Sequence, residues 1–524
     1  MEVALTPLEF ARRTRRLYPE REAVVDGTLR LTYEQLFQRC DRWSAALTEM
    51  GVGPGDRVAY ICPNTHEQLE SFYSVPQLGA VLVPINFRLT AEDFLYIIGH
   101  SGARIVCAHP DHVAAVDSVR DQLDGVEHFV VLGEAVDGWI GYEELLARQE
   151  PGVFTPHQVA ETDLITINYT SGTTARPKGV MITHRNAYMN CVGTLLHLRL
   201  GIGDAYLWTL PMFHANGWTF PWTVTAVGAR HICLPKVDPG EVFRLIRDES
   251  VRWLCAAPTV LISLVNAPED VRGEVVPGVH LVTAGAPPAA ATIERVEGEF
   301  GWEITQMYGL TETAPFITVC EPRPEHAELD SSQHAVIKAR QGVELLTSGD
   351  LRVVDASDRE VPHDGATQGE IVVHGNVVMA GYFNDAEATA NAIRDGWFHS
   401  GDAAVVHPDG YVEIRDRIKD VIISGGENIS SVEVEGTLIK HPAVLEAAVV
   451  GLADEKWGES PHAFVILREG QSADEAELIA FVRDRLAHFK APRRVHFVTE
   501  LPKTATGKIQ KFELRRGAAA IAAQ

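Results

Sequence analysis

Short apolar runs of strand length alternate with amphipathic stretches of helix length from the first hundred residues onward. This order restricts the fold more than any other feature. Residues 57–62 (RVAYIC), 80–84, 104–107 and 128–132 read as buried strands, and residues 33–50 and 66–78 read as helices between them. Strands joined through helices pair in parallel, so the spacing predicts layered α/β sheets. Gly51, Gly53 and Gly55 precede a strand instead of linking a strand to a helix, so they are not a dinucleotide fingerprint. Near residue 350 the pattern changes. Residues 351–355, 369–374 and 410–415 are short, turn-bounded and β-rich. After Lys419 a compact α+β pattern follows: strand 421–424, helix 431–440, strands 445–452 and 462–467, helix 474–486 and strand 494–497. The expected fold class is α/β. A large N-terminal domain over residues 1–418 holds parallel-rich sheets and a β-rich subdomain, and a small α+β C-terminal domain covers 419–524.

Composition narrows the function. A chain of 524 residues with 46% hydrophobic and 22% charged residues has enough apolar surface for several cores, which excludes wholesale disorder. A net charge of −25 repels polyanions, so no nucleic-acid partner is expected. The seven cysteines (Cys40, Cys62, Cys107, Cys191, Cys233, Cys255 and Cys320) never form a C-x-x-C pair. That argues against a disulfide framework or zinc cage and fits a reducing cytoplasm. Arg12, Arg13, Arg15 and Arg16 are not followed by an apolar stretch, and no run of 18 apolar residues occurs, so neither a signal peptide nor a membrane span is expected. Residues 481–524 carry ten Lys or Arg against three Asp or Glu. A solvated helix face with its tail explains this as well as a basic unit that meets phosphates held by the acidic remainder.

The first chemical signal is residues 169–179, YTSGTTARPKG. A strand-like run, 164–168, leads into Thr170, Ser171, Gly172, Thr173 and Thr174, and the segment closes on Lys178. Hydroxyls and free backbone N–H groups around a glycine wrap an anion, and the lysine adds charge. A polar surface loop shares this composition, and the spacing is not that of a Walker A loop. The segment resembles the phosphate loop of the adenylate-forming superfamily: acyl-CoA synthetases, peptide-synthetase adenylation domains and firefly-type luciferases. It departs at Ala175, where that family has glycine; if the position needs positive φ, alanine costs about 1 kcal/mol.

Further segments match the same family in its order. QMYGLTET, residues 306–313, resembles its aromatic-Gly-x-Thr-Glu motif. The resemblance implies that Tyr308 stacks on adenine beside Gly309, Thr311 meets the α-phosphate, and Glu312, with Thr170, holds Mg²⁺. A hard cation bridging phosphates takes carboxylate and hydroxyl oxygens. Gly285, Ala286 and Pro287 resemble the stretch lining the adenine and acyl pockets. Ser400, Gly401 and Asp402 resemble the [ST]GD motif, whose Asp takes both ribose hydroxyls, and Arg417 matches a ribose- and phosphate-contacting arginine. Lys419 falls at the hinge, where conformational freedom matters more than chemistry. Gly425, Gly426 and Glu427 resemble the loop that borders the CoA channel of acyl-CoA ligases. Trp457 and Phe489 match positions that contact the CoA nucleotide. An arginine usual after that Phe is absent; Lys490 and Ala491 stand there, and Arg493 or Arg494 substitutes. PKTATGK, residues 502–508, resembles the C-terminal catalytic segment, with Lys508 bridging carboxylate and α-phosphate. The C-terminal domain is then mobile.

Residues 208–222 (WTLPMFHANGWTFPW) hold five aromatics and His214. Core packing accounts for some of them. The resemblance puts His214 at the gate between acyl pocket and CoA tunnel, and Trp218 as a lid on the acyl channel. No Asp occupies 213–218, where amino-acid-activating members hold the substrate ammonium, and a buried ammonium without a partner is costly. The pocket text, with residues 254–268, looks most like short- and medium-chain acyl-CoA ligases and their plant peroxisomal relatives; the closing Ala-Ala-Gln is not a peroxisomal S-K-L address. The expected activity is ATP-dependent carboxylate–CoA ligation on short- to medium-chain or aryl acids, using ATP, Mg²⁺ and coenzyme A. Two alternatives stand beside it: an adenylating enzyme that uses an amine or carrier protein as acceptor, and a non-catalytic acyl- or nucleotide-binding protein, which would need neither Glu312 nor Lys508. A homodimer stays open.

Overall fold

The computed structural model describes residues 2–150, 152, 154–170, 176–286, 288–425, 427–454, 456–503 and 509–522. Their strands form four sheets. In the first, Arg57–Ile61 lies between Val81–Ile85 and Ala103–Ala108, all parallel. Leu164–Thr170 joins it in parallel and turns back as the antiparallel Lys178–Thr183. In the second, Glu22–Asp26, Arg230–Ile232, Ala205–Leu207, Trp253–Cys255, His280–Thr283 and Glu303–Gly309 run parallel in that order. The third sheet, between 350 and 417, is antiparallel. The fourth begins at Ile422 and is mainly antiparallel.

Helices fill the space between the two large sheets. Thr32 opens Tyr33–Glu49 with a capping box: its hydroxyl accepts from Gln35 N and its N–H donates to the Gln35 side chain, worth about 1 kcal/mol. Leu36, Phe37, Cys40, Trp43 and Leu47 then recur at helical spacing and are fully buried, each large apolar side chain contributing about 1.5–3 kcal/mol. Residues 67–74 of the next helix are buried all round, Glu70 included. Glu70 is tolerated there because Arg39 Nε at 2.5 Å and the Tyr142 hydroxyl at 2.6 Å satisfy it.

Two expected boundaries move for physical reasons, and one strand is new. The helix expected over 66–78 ends at Ser74 and resumes as a 3₁₀ turn, Pro76–Leu78, because Pro76 has no N–H to continue it. The strand expected over 410–415 is Val412–Arg417, since His407 and Gly410 close a turn with Gly410 at φ +83°. Glu427–Ile429 is a strand the pattern did not announce; it pairs with Ile422–Ser424 across Gly425.

Asn64, just past the strand Arg57–Ile61, joins the carboxyl ends of the two large sheets. Its Nδ2 donates to Trp208 O and Leu210 O, and its Oδ1 accepts from Met212 N. Open α/β sheets gather their ligands at such carboxyl ends.

Candidate active site

The hairpin Leu164–Thr170/Lys178–Thr183 holds the phosphate-loop segment; its last register pair is Thr170 with Lys178. Ser171, Gly172, Thr173, Thr174 and Ala175 lie outside the described residues, as do Pro287, Gly426 and Lys508. One helix, Ala91–Ser101, grips both flanks of the hairpin tip. The Tyr96 hydroxyl donates to Pro177 O at 3.1 Å, and His100 Nδ1 lies 2.7 Å from the Tyr169 hydroxyl. Tyr96 and His100 are four apart and so share a helix face.

Lys178 leads to the first acidic residue. Its Nζ sits 4.8 Å over the Tyr382 ring, and the Tyr382 hydroxyl donates to Glu312 Oε1 at 2.9 Å. Burial first, then the Glu312 charge, raises the Tyr382 phenol well above its usual range, which keeps it a donor. Glu312 sits in a 3₁₀ turn, Thr311–Thr313. The turn's entry needs Gly309: a Cβ there would stand 1.8 Å from Pro315 O. Asn190 fixes the turn's exit by donating to Thr313 O and Phe316 O.

A second cluster adjoins the first. The Tyr308 hydroxyl donates to Asp402 Oδ2 at 2.6 Å, and Arg417 Nε meets Asp402 Oδ1 at 2.7 Å. Burial draws the Arg417 pKa down, but Asp402, Tyr308 and Glu312 more than offset it and hold the guanidinium above its usual value. Ser400 braces the motif: its Oγ donates to Ile371 O and accepts from Asp402 N. Among the described residues each Asp402 oxygen is engaged once, and a carboxylate retains lone pairs for further donors such as a cis-diol. The structure therefore brings Tyr308, Asp402 and Arg417 together, with Lys178 and Glu312 bridged through Tyr382.

The aromatic segment takes an unusual backbone. Ala215, Asn216, Gly217, Trp218 and Thr219 have φ of 36°, 48°, 52°, 53° and 69°, a full left-handed turn. It costs about 1–2 kcal/mol for each non-glycine residue. Gly217 is required twice over, since a Cβ would meet the Trp208 ring at 2.7 Å and Met212 Cα at 3.2 Å. The turn swings Trp218 inward, 3% exposed and edge-on to Phe316. Gly285, at φ +88°, leaves its missing Cβ 3.9 Å from that indole. Trp218 and Gly285 thus form one wall, with half-buried Ala286 following in the chain and half-buried His214 just before the turn.

In the fourth sheet Gly425, at φ +61°, donates its N–H to Trp457 O, and a Cβ on it would meet the Trp457 ring at 2.8 Å. Trp457 is 42% and Phe489 46% exposed; Glu427 is exposed too, and Lys419 lies exposed in the turn after Arg417. Gly425→Ala should therefore displace the Trp457 ring. Tryptophan fluorescence of wild type and variant, compared on the folded chain, checks that expectation.

Two groups of residues escaped the sequence: Tyr382, and the pair Tyr96 and His100. Tyr382 lies in a Gly-Tyr dipeptide after the β-rich change of texture, a weak signal. The other two lie on an ordinary helix, and only their i, i+4 spacing marks them.

A carboxylate–guanidinium pair under a tyrosine, next to a lysine and an acid on one tyrosine, suits a nucleotide whose phosphates are activated, and the class is that of an adenylate-forming enzyme. Residues 11–383 match the AMP-binding enzyme family and residues 433–508 its AMP-binding enzyme C-terminal domain, and the chain belongs to that family. It is 42% identical to 4-hydroxybutyrate–CoA ligase 2 of Metallosphaera sedula, over 99% of this chain and 95% of that one. It is also 42% identical to a peroxisomal acetate/butyrate–CoA ligase of Arabidopsis thaliana, over 98% and 94%. The solved structure of the anthranilate CoA ligase AuaEII in complex with anthranoyl-AMP superposes with a TM-score of 0.91 at 27% identity, over 100% and 99%. The chain is an AMP-forming acid–CoA ligase that uses ATP, Mg²⁺ and CoA.

Proposed function

We propose that the enzyme joins short- to medium-chain aliphatic or aryl carboxylates to CoA, with the residues above in the following roles. The carboxylate, ionised at neutral pH, attacks the α-phosphorus of ATP and expels pyrophosphate. The CoA thiol, giving up its proton, then attacks the acyl carbon and expels AMP. Neither step calls for a strong base. The work is positioning and charge neutralisation, assigned to residues 170–174, Lys178, Thr311 and Lys508. Asp402, Arg417 and Tyr308 hold the nucleoside. Mg²⁺, when bound, neutralises phosphate charge. Glu312 and Thr170 offer oxygens for it, and Glu312 Oε2 takes no hydrogen bond from the described residues. The small domain, 419–524, turns about Lys419, withdrawing Lys508 and presenting Gly425, Gly426, Glu427, Trp457 and Phe489 to CoA.

The observation that carries this reading is the link from Lys178 through Tyr382 to Glu312. It ties the phosphate-loop hairpin to the metal-competent acid beside Asp402 and Arg417. Trp218 against Gly285 supports a short, uncharged acyl tail, and the absence of Asp between 213 and 218 disfavours amino acids. We also place the enzyme in the cytoplasm: its seven cysteines are unpaired and buried, and no described helix is long and apolar enough to cross a membrane. Cell fractionation checks that placement.

The test is CoA-dependent AMP release from butyrate, 4-hydroxybutyrate, octanoate, laurate, benzoate and alanine, for wild type and Trp218→Ala. Butyrate or benzoate should lead, with alanine about a hundredfold or more behind in kcat/KM, because its ammonium would be buried unpaired. Trp218→Ala should move the optimum toward longer chains. Alanine at the head would overturn the pocket reading. Acyl transfer to an amine in place of CoA would overturn the acceptor.

A further inference from the structure

We infer that Asn216 and Thr166 are positioning residues for the acyl pocket: the Asn216 amide fastens the left-handed turn that carries Trp218 to the strand that leads into the phosphate loop. The inference rests on the reading of Trp218 as the pocket wall.

Five successive residues at positive φ persist only where their surroundings over-determine them. Packing supplies one restraint, through Gly217 against Trp208. Backbone bonds within the turn, such as Thr219 N to Asn216 O, supply a second, and the polar restraint that reaches another strand runs through one hydroxyl. Asn216 Nδ2 donates to Thr166 Oγ1 at 2.8 Å, and Asn168 Nδ2 donates to the same oxygen at 2.9 Å. Thr166, Asn168 and Thr170 alternate along one strand and so share a face, which places the hydroxyl on the same side as the residue that opens the phosphate loop. Asn216 lies two residues from His214 and two from Trp218. Any slack in its amide is passed to both.

The choice of residue fits the task. Asparagine enters the left-handed region more easily than other non-glycine residues, and its side chain also carries a donor. Glycine would meet the first need alone. The two amides spend their donors on Thr166 and leave Asn168 Oδ1 and Asn216 Oδ1 buried without a partner among the described residues. Unpaired buried oxygens call for an explanation. A tie that must hold the turn at one distance from the strand supplies it, where simple core filling would have used an apolar side chain.

The experiment measures KM for butyrate, octanoate and ATP, with kcat, on Asn216→Ala, Asn216→Gly, Thr166→Val and Thr166→Ser, beside Trp218→Ala. Asn216→Ala and Thr166→Val should raise carboxylate KM about tenfold and flatten the butyrate-to-octanoate preference, with ATP KM within about twofold of wild type. Asn216→Gly relieves the backbone but has no amide, so it should share the defect. Thr166→Ser keeps the hydroxyl and should behave as wild type. The Asn216→Ala/Thr166→Val double variant should be no worse than either single one. A wild-type profile in Asn216→Gly or Thr166→Val overturns the proposal, as does an ATP KM that rises in step with carboxylate KM. If Trp218→Ala leaves the chain-length profile unchanged, the pocket reading fails and this inference falls with it. If Trp218→Ala shifts the profile while the Asn216 variants do not, only the inference fails.

Discussion

Replacing Lys508 by alanine is expected to slow acyl-adenylate formation by about 10²-fold or more, the usual effect of removing a charge that meets the transition state. The sequence PKTATGK and the match of residues 433–508 to the C-terminal domain of the AMP-binding enzymes motivate it. The negative charge that builds on the α-phosphate and the incoming carboxylate needs a cation at that point. Lys178, 4.8 Å above the Tyr382 ring, is a second cation on the hairpin side. Thioester formation from supplied acyl-adenylate should largely survive, because the phosphate chemistry is then complete. Pyrophosphate release and acyl-CoA formation, assayed separately, decide it; an equal fall in both would mean that Lys508 does not serve adenylation alone.

Much of the fold was legible because burial imposes period. The runs at 57–62, 104–107 and 128–132 became strands within a residue or two, and the helix from Tyr33 kept its start at a Thr-x-x-Gln cap. The parts that were not legible are set by contacts distant in sequence. Asn216-Gly217 is a strong local turn signal, yet in a run with five aromatics it reads as pocket lining. Packing against Trp208 and Met212 within the run, and the bond to Thr166 fifty residues away, favour the left-handed turn. Tyr382 meets Glu312 from seventy residues away, and nothing in Gly381-Tyr382-Phe383 announces that partner. Asp402, Arg417 and Tyr308 were each legible from motif likeness, but their mutual hydrogen bonds were not, because the register that pairs Asp402 with Arg417 belongs to the third sheet.

That register also sets the hinge prediction. The strand ending at Arg417 passes straight into a turn in which Asp420 N and Val421 N both donate to Arg417 O. Ile418 N donates to Gly401 O, so the motif holding Asp402 is tied to the last residue before Lys419. The Lys419 N–H takes no part in these backbone bonds among the described residues, so proline removes none of them. Its cost is freedom: proline fixes φ near −65° and pushes Ile418 toward extended backbone. Past the turn the chain is fastened again. Lys511 reaches Glu435 at 2.9 Å, and Arg515 reaches Asp420 at 2.8 Å, both within the small unit, whereas Ser431 N donates across the turn to Asp416 at 2.6 Å. The proposed rotation of the small unit runs through the few residues around Lys419 and must release the Ser431–Asp416 bond. Lys419→Pro is expected to leave pyrophosphate release near wild type and to slow acyl-CoA formation by about 10²-fold, as a locked conformational step does. Lys419→Ala keeps the freedom and should turn over normally. Single-turnover measurement of both products on both variants tests this. Unchanged acyl-CoA formation in the proline variant would remove Lys419 from the hinge. An equal loss in the alanine variant would assign the lysine a chemical role instead.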